Sequence, residues 1–239
     1  SDLINPRYIA FANGKGYITN WGAGSDATDD YIAVLDMATY NVTKKISVVE
    51  GPEQIVAKNN KLYITHKGGW GTGNSVTVID ALSDSVVTNI TVGDKPDELF
   101  FDNSGNLIIS CEGKAITSWN PNELLAKLVK INTTDNTVTT TMTFASGVHP
   151  NVMLNYGSNI YYAASGKVYE LSQTATDLPT SELFSTTSIK TMAIKEGKLY
   201  TTDAVDNNSN GKLKIFDLTS KNELKEFTVG LIPAKIYFN

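Results

Sequence analysis

Pro52-Glu53-Gln54-Ile55, followed by Leu62-Tyr63-Ile64-Thr65-His66, Val76-Thr77-Val78-Ile79-Asp80 and Val86 to Val92, decides the fold. Four short runs rich in β-branched and aromatic residues, parted by turn residues, read as four strands. The opening motif returns as Pro6-Arg7-Tyr8-Ile9, Pro96-Asp97-Glu98-Leu99, Pro150-Asn151-Val152-Met153 and Pro233-Ala234-Lys235-Ile236. Ile189-Lys190-Thr191-Met192 fills the remaining place without its proline. Successive offsets are 46, 44, 54, 39 and 44 residues. A period of this length made of short strands is the mark of a β-propeller, in which each repeat is one four-stranded blade.

The other repeats supply the same series. Second strands are expected at Gly16 to Asn20, Leu107 to Cys111, Ile160 to Ala164 and Leu199 to Asp203. Third strands follow at Ile32 to Asp36, Leu128 to Asn132, Lys167 to Leu171 and Leu213 to Asp217. Fourth strands follow at Val42 to Val48, Val138 to Phe144, Ser181 to Phe184 and Leu224 to Val229. Val76-Thr77-Val78-Ile79 is apolar on both faces, as a blade sandwiched between neighbours requires. Asp36, Asp80 and Asp217 each end a third strand, where their carboxylates are expected to close Asx-turns. The expected architecture is all-β. It is one propeller domain over 1–239, with blades at 6–51, 52–95, 96–149, 150–188 and 189–232. An extra first strand is expected at 233–239, and the whole belongs to a larger ring.

The bulk numbers narrow the function classes. The chain has 239 residues and a net charge of -5, which gives no basic surface for nucleic acid. Hydrophobic residues make up 41% and charged residues 19%, an ordinary globular balance. Cys111 is the single cysteine, so no disulfide forms within the chain. No apolar run approaches the length of a membrane span, and no leader is visible at Ser1.

The blade pattern resembles the YncE-like propellers, with Pro-x-x-Ile, Leu-Tyr-Ile-Thr and Val-x-Val-Ile-Asp, and the blade from Pro52 to Gly93 lies close to it. The C-terminal half is similar to the DUF5074 "surface layer" propellers of Bacteroidetes. The similarity rests on Asp203-Ala204-Val205-Asp206, Phe227-Thr228-Val229-Gly230-Leu231-Ile232-Pro233 and the terminal Ile236-Tyr237-Phe238-Asn239. The resemblance covers essentially the whole chain and is stronger for fold than for function. It implies an exported seven-bladed protein, about two further blades and a lipoprotein signal ahead of Ser1, and a place at the cell surface or in the periplasm. Some relatives capture cobalamin beside outer-membrane transporters. No family ligand residue carries over.

Loops joining strands two and three, and loops leading into each first strand, emerge on one face of a propeller. That face is where function is expected. All three tryptophans lie in two–three loops: Trp21, Trp70 and Trp119. His66 ends a second strand and His149 precedes Pro150. Arg7, Tyr8, Gln54, Asp97, Glu98 and Asn151 start the inner strands, and Asp203 ends a second strand. Large amphipathic side chains beside a few polar groups suit a small molecule or a protein partner. The competing view is that the tryptophans only anchor their own loops.

Catalysis has little support. His66 and His149 are the only imidazoles, and neither sits in a nucleophile motif. Gly68-Gly69-Trp70-Gly71-Thr72-Gly73 opens no helix and reads as a flexible turn. Asp206, Asn208 and Asn210 match the first half of a calcium loop, with Asp217 at the twelfth place, but a strand stands where the exit helix belongs. The Asp26, Asp29, Asp30 group is a weaker candidate still. The expected function is a cofactor-free, non-enzymatic binding propeller of the cell envelope, for a nutrient such as cobalamin or a protein partner such as an outer-membrane transporter. The alternatives are an adhesion module of the surface layer and a propeller lyase or hydrolase.

Overall fold

The computed structural model describes residues 3–24 and 26–238. They contain no helix. Every strand belongs to one of five antiparallel four-stranded sheets, each built from four strands consecutive in sequence. Two compact units divide the chain, residues 1–147 and 148–239.

The first unit holds three sheets. The first comprises β1 (Pro6–Ala12), β2 (Lys15–Asn20), β3 (Tyr31–Asp36) and β4 (Val42–Ser47). The second comprises β5 (Pro52–Lys58), β6 (Lys61–His66), β7 (Ser75–Asp80) and β8 (Ser85–Thr91). The third comprises β9 (Pro96–Phe101), β10 (Leu107–Cys111), β11 (Lys127–Asn132) and β12 (Thr137–Thr143). The second unit holds two sheets. These are β13 (Val152–Tyr156), β14 (Asn159–Ala164), β15 (Lys167–Ser172) and β16 (Phe184–Ser185), then β17 (Ile189–Lys195), β18 (Lys198–Asp203), β19 (Asn210–Asp217) and β20 (Glu223–Leu231).

Local sequence explains the joints. Asn13 and Gly14, both with positive φ (48° and 72°), form the two-residue loop from β1 to β2. That mirror-image turn matches the twist of the flanking strands. Asp36 Oδ1 accepts the backbone N–H groups of Ala38 and Thr39 at 2.9 and 2.7 Å. Asp80 does the same for Leu82 at 2.7 Å, and Asp217 for Ser220 at 2.7 Å. These aspartates are turn formers, as the sequence implies.

Cores lie between sheets. In the first unit Tyr17, Ile32, Ile46, Ile55, Leu62, Ile64 and Ile79 join the first sheet to the second. Tyr63, Val76, Val78, Leu99, Leu107, Ile109 and Val129 join the second to the third. In the second unit Val168, Phe184, Met192, Leu199 and Phe216 do the same, with the Phe184 and Phe216 ring centroids 4.4 Å apart. Both faces of a middle sheet are thus apolar, which is why β7 lacks the alternation of a half-wet strand. β1 is the contrast. Ile9 and Phe11 are 45% and 59% exposed, while Ile55 and Leu99, at the place of Ile9 in the next two sheets, are 6% and 5% exposed.

Two expectations change. The fourth strand expected at Ser181 to Phe184 is only the two-residue β16, because Lys167 and Val168 are the only β15 residues it pairs with. The strand expected at 233–239 does not form over 233–238, and Asn239 lies outside the described residues. That segment still packs on the last sheet: Thr202 Oγ1 donates to the Pro233 carbonyl at 2.6 Å, and the Phe238 ring meets Tyr200 edge-on at 4.9 Å.

Candidate functional site

The site is built by a repeated defect in the sheet. Pro6 faces Asn20, but the next Cα pair is Ile9 with Ile18, so β1 carries one extra residue. The same step recurs between Pro52–His66 and Ile55–Ile64, and between Pro96–Cys111 and Leu99–Ile109. A β-bulge leaves its residues out of the ladder and re-aims their side chains. A hydroxyl on the second strand takes up the freed backbone group. Thr19 Oγ1 accepts the Tyr8 N–H at 2.9 Å, and Thr65 Oγ1 accepts that of Gln54 at 3.1 Å. Thr65 also donates to the Asp97 carbonyl at 3.1 Å, which ties the second sheet to the third.

The bulges bring three columns of side chains to one rim of the first unit. Arg7, Glu53 and Asp97 form one column, Tyr8, Gln54 and Glu98 the second, and Trp21, Lys67 and Glu112 the third. Their contacts run from sheet to sheet. The Arg7 Nη2 group donates to Glu53 Oε1 at 2.7 Å, and its Nε lies 3.2 Å from both Glu53 oxygens. The guanidinium lies 4.5 Å from the Trp21 ring centroid, and Trp21 Nε1 donates to the Pro52 carbonyl at 3.0 Å. Gln54 Nε2 donates to Asp97 Oδ1 at 3.2 Å. Lys67 Nζ bridges Asp97 Oδ2 at 2.5 Å and Glu112 Oε1 at 2.9 Å.

Asp97, Glu98 and Glu112 each place one carboxylate oxygen within 4.8 Å of the others. Glu98 Oε2 is sealed from solvent and has no hydrogen-bond partner. Burial, then the charges of Asp97 and Glu112, push the Glu98 carboxyl well above the usual range. Burial also lifts Glu112 to about 7, with Lys67 pulling against it and Asp97 adding to it. Burial opposes the Lys67 charge, but Asp97 and Glu112 outweigh it and hold the ammonium above its ordinary pKa. The rim therefore carries more acid than it can ionise cheaply at neutral pH.

The tryptophans divide. Trp21 is an anchor, half-buried and bonded. Trp70 is 86% exposed, and with Trp21, Asp26, Asp30 and Glu50 it lines a shallow hollow. Trp119 is 95% exposed, at the tip of a small hairpin closed by the Lys114–Leu124 and Thr117–Asn120 bridges. Within the hollow, burial lifts Asp30 to about 6, although the Gly51 N–H at 2.5 Å opposes the shift.

Two residues expected at the rim are interior. His66 is fully buried, with Nδ1 3.3 Å from the Glu50 carbonyl and Nε2 2.7 Å from the Thr77 hydroxyl. Burial pushes its pKa down to about 4, so the ring is neutral at pH 7. Asp203 is also fully buried. It accepts the backbone N–H groups of Ser188 at 3.0 Å, Val205 at 2.7 Å and Thr187 at 3.2 Å, together with the Thr186 and Thr187 hydroxyls. Burial raises its pKa, but these bonds outweigh burial and lower it. Each faces the first position of an inner strand, Pro52 or Ile189, and that column points into the sheet packing. Cys111, in the same column, is buried too.

In the second unit, exposed Asn151 donates to the Ile189 carbonyl at 2.8 Å, and His149 is half-buried. The calcium-loop pattern is a turn. Asp206 is filled by the N–H groups of Asn208 at 2.9 Å and Ser209 at 2.7 Å and by the Ser209 hydroxyl at 2.9 Å. Asn210 begins β19, and Asp217 closes its own turn.

Glu53, Lys67 and Glu112 are site residues that reading by residue type passes over. Alignment of the repeats exposes them. Glu53 follows the motif proline, as Arg7 and Asp97 do, and Lys67 and Glu112 stand at the place of Trp21.

No protein-family model matches the sequence, and no curated protein is similar to it. Solved structures do resemble it. Hydrazine synthase of Kuenenia stuttgartiensis superposes with a TM-score of 0.71 at 15% identity, over 99% of this chain and 69% of that one. The extracellular domain of a one-component system of B. thetaiotaomicron gives 0.61 at 16%, over 92% of this chain and 28% of that one. The Neurospora crassa Pan2 WD40 domain gives 0.62 at 10%, over 95% and 66%. The fold is that of a β-propeller. At these identities the likeness carries the architecture alone.

Proposed function

We propose that this chain is a non-catalytic binding propeller of the bacterial cell envelope, and that its ligand meets the rim of the first unit. The observation that carries this is the triple column from Arg7 to Glu112. Nine side chains at equivalent positions of three sheets are polar, charged or aromatic, and Trp70 and Trp119 stand exposed in the adjoining loops. Exposed aromatic faces beside fixed donors and acceptors suit a large amphipathic ligand. A corrinoid, with a flat ring system fringed by amides, has that chemistry. The resemblance to YncE-like and DUF5074 propellers supports the envelope location and a cobalamin-type nutrient. The extracellular B. thetaiotaomicron domain, which shares the fold, fits the same location.

Titration calorimetry with cyanocobalamin tests this reading. The expected result is saturable binding that weakens about tenfold or more in the Trp70→Ala, Trp119→Ala double variant, since an aromatic hot spot is worth on the order of 2 kcal/mol or more. No binding by the intact chain removes the corrinoid, and unchanged affinity in the double variant removes the loop face.

A second reading is an adhesion module, favoured by Trp119 at its hairpin tip. Affinity for a surface-layer protein or glycan that vanishes in Trp119→Ala alone would favour it. The raised carboxyl of Glu98 beside Asp97 also has the look of a general acid next to a base. Turnover of a glycan, lost in Glu98→Gln, would replace binding by a lyase or hydrolase activity.

A further inference from the structure

The acidic cluster of the first unit has a feature that packing does not explain. Three carboxyl groups from two loop-to-strand joints converge there, and Lys67 is the cation paired with them. Lys67 reaches Asp97 and Glu112, while Glu98 Oε2, closed off from water, has no partner at all. A buried acceptor left without a donor destabilises the fold, and more so when charged. The Glu98 carboxyl places one oxygen within 4.8 Å of oxygens of Asp97 and Glu112.

We propose that Asp97, Glu98 and Glu112 bind a calcium ion, with the Lys67 ammonium as its competitor. Three arguments converge. First, one oxygen from each carboxylate lies within 4.8 Å of the others, no farther apart than two ligands on opposite sides of one calcium ion, at roughly 2.3–2.6 Å each, can stand. Magnesium, at about 2.0–2.1 Å, demands a tighter set. Second, the donors are all hard carboxylate oxygens, with no imidazole or thiolate to favour a transition metal. Third, three carboxyl groups against one ammonium leave two negative charges once all are ionised, and a divalent ion supplies the matching charge that would hold them ionised. Lys67 sits on the two outer carboxylates as a monovalent placeholder. Its side chain is 22% exposed. The ion would give Glu98 Oε2 its missing partner and would cross-link β9 to the loop after β10.

The site shares Asp97, Glu98 and Glu112 with the proposed ligand rim, and calcium alone as the probe separates the failure of one reading from the failure of the other. Isothermal titration of the full chain with CaCl2 in metal-free buffer at pH 8 reads it. One calcium per chain is expected. Glu98→Gln lowers the affinity at least tenfold, Lys67→Gln raises it by a similar factor, and Asp206→Asn, in the remote turn, leaves it unchanged. If Glu98→Gln does not fold by circular dichroism, Glu112→Gln takes its place with the same expectation. Absence of saturable heat in the unaltered chain overturns the proposal. So does an affinity that Glu98→Gln and Glu112→Gln both leave intact, or one that falls with Asp206→Asn.

Discussion

The rims of the two units occupy equivalent positions and are made of different chemistry. In residues 3–147 the three columns hold Arg7, Glu53, Asp97, Tyr8, Gln54, Glu98, Trp21, Lys67 and Glu112, and ion pairs run from each sheet to the next. In residues 148–238 the same columns hold Asn151, Lys190, Val152, Thr191, Ser165 and Ala204. There the fixed interactions go to backbone, through Asn151 to the Ile189 carbonyl and through Asp203 to three N–H groups. The bulge is not what separates the units. β17 keeps it, between the Ile189–Asp203 and Thr191–Thr202 pairs. β13 lacks it, and there Ala163 pairs directly with Val152 where Thr19, Thr65 and Thr202 offer hydroxyls. In the first two sheets the Thr19 and Thr65 hydroxyls support the re-aimed residues. In the second unit Lys190 is the one charged residue at these places, whereas the first holds Arg7, Glu53, Asp97 and Glu98, with charges paired between sheets. One rim is a lock, and the other spends folding stability on exposed and half-buried polar groups, as binding surfaces do.

The largest expected effect separates the lock from the site. Asp203→Ala strips the acceptor from three backbone donors and should cost about 3 kcal/mol of stability, at about 1 kcal/mol for each hydrogen bond lost. Urea unfolding measures it. Calcium and cyanocobalamin binding should stay within about threefold of the unaltered chain under folding conditions. A loss of binding at full folding would place Asp203 in the site and break the contrast.

The pH dependence of stability comes next, and its two limbs have opposite signs. His66 titrates near 4 folded and near 6.5 unfolded, so the unfolded chain takes the proton first. Its contribution is complete above about pH 6.5 and is lost as pH falls toward 4, amounting to about 3 kcal/mol. Glu112 is raised, to about 7, so the folded chain takes its proton first. Its contribution is complete below about pH 4.5 and is lost as pH rises through 7. The two partly cancel between pH 5 and 7. In Glu112→Gln the alkaline limb should flatten while the acid limb remains. An unchanged alkaline limb would mean that Glu112 is not the group that binds the proton.

The smallest effect sharpens the first unit alone. Arg7→Ala leaves the Glu53 carboxylate buried without its partner and should cost about 2 kcal/mol, less than a fully buried pair because Arg7 itself is partly exposed. Adding Glu53→Gln should restore about half of that, because the unpaired charge is what hurts. A double variant no more stable than Arg7→Ala would show that the guanidinium acts through Trp21 instead.

The fold was legible because the repeat is written in backbone chemistry. A proline opens the inner strand, a β-branched pair fills the core, and an aspartate closes the third turn, and none of these depends on distant contacts. Strand limits failed where pairing and not propensity decides them, at β16 and at residues 233–238. The site was half legible. Arg7, Tyr8, Gln54, Asp97 and Glu98 stand at the rim of the first unit at places the motif prolines mark, and Trp21 joins them from the loop after β2. Glu53, Lys67 and Glu112 were missed because lysine and glutamate near a loop are ordinarily solvated, and only their alignment with Arg7 and Trp21 separates them from the rest. His66 and Asp203 misled for the converse reason. A polar residue at a strand end looks exposed until the pairing turns its side chain inward, and the buried Cys111 in the same column was the available warning.

The most direct test compares two triple variants against one ligand. Tyr8→Ala, Gln54→Ala, Glu98→Gln alters the first unit, and Asn151→Ala, Lys190→Ala, Thr191→Ala alters the second. Cyanocobalamin affinity, measured by calorimetry on folded protein, should fall at least a hundredfold in the first and stay within threefold in the second. Equal losses, a loss confined to the second unit, or no affinity in the unaltered chain would contradict a binding site built on the rim from Arg7 to Glu112.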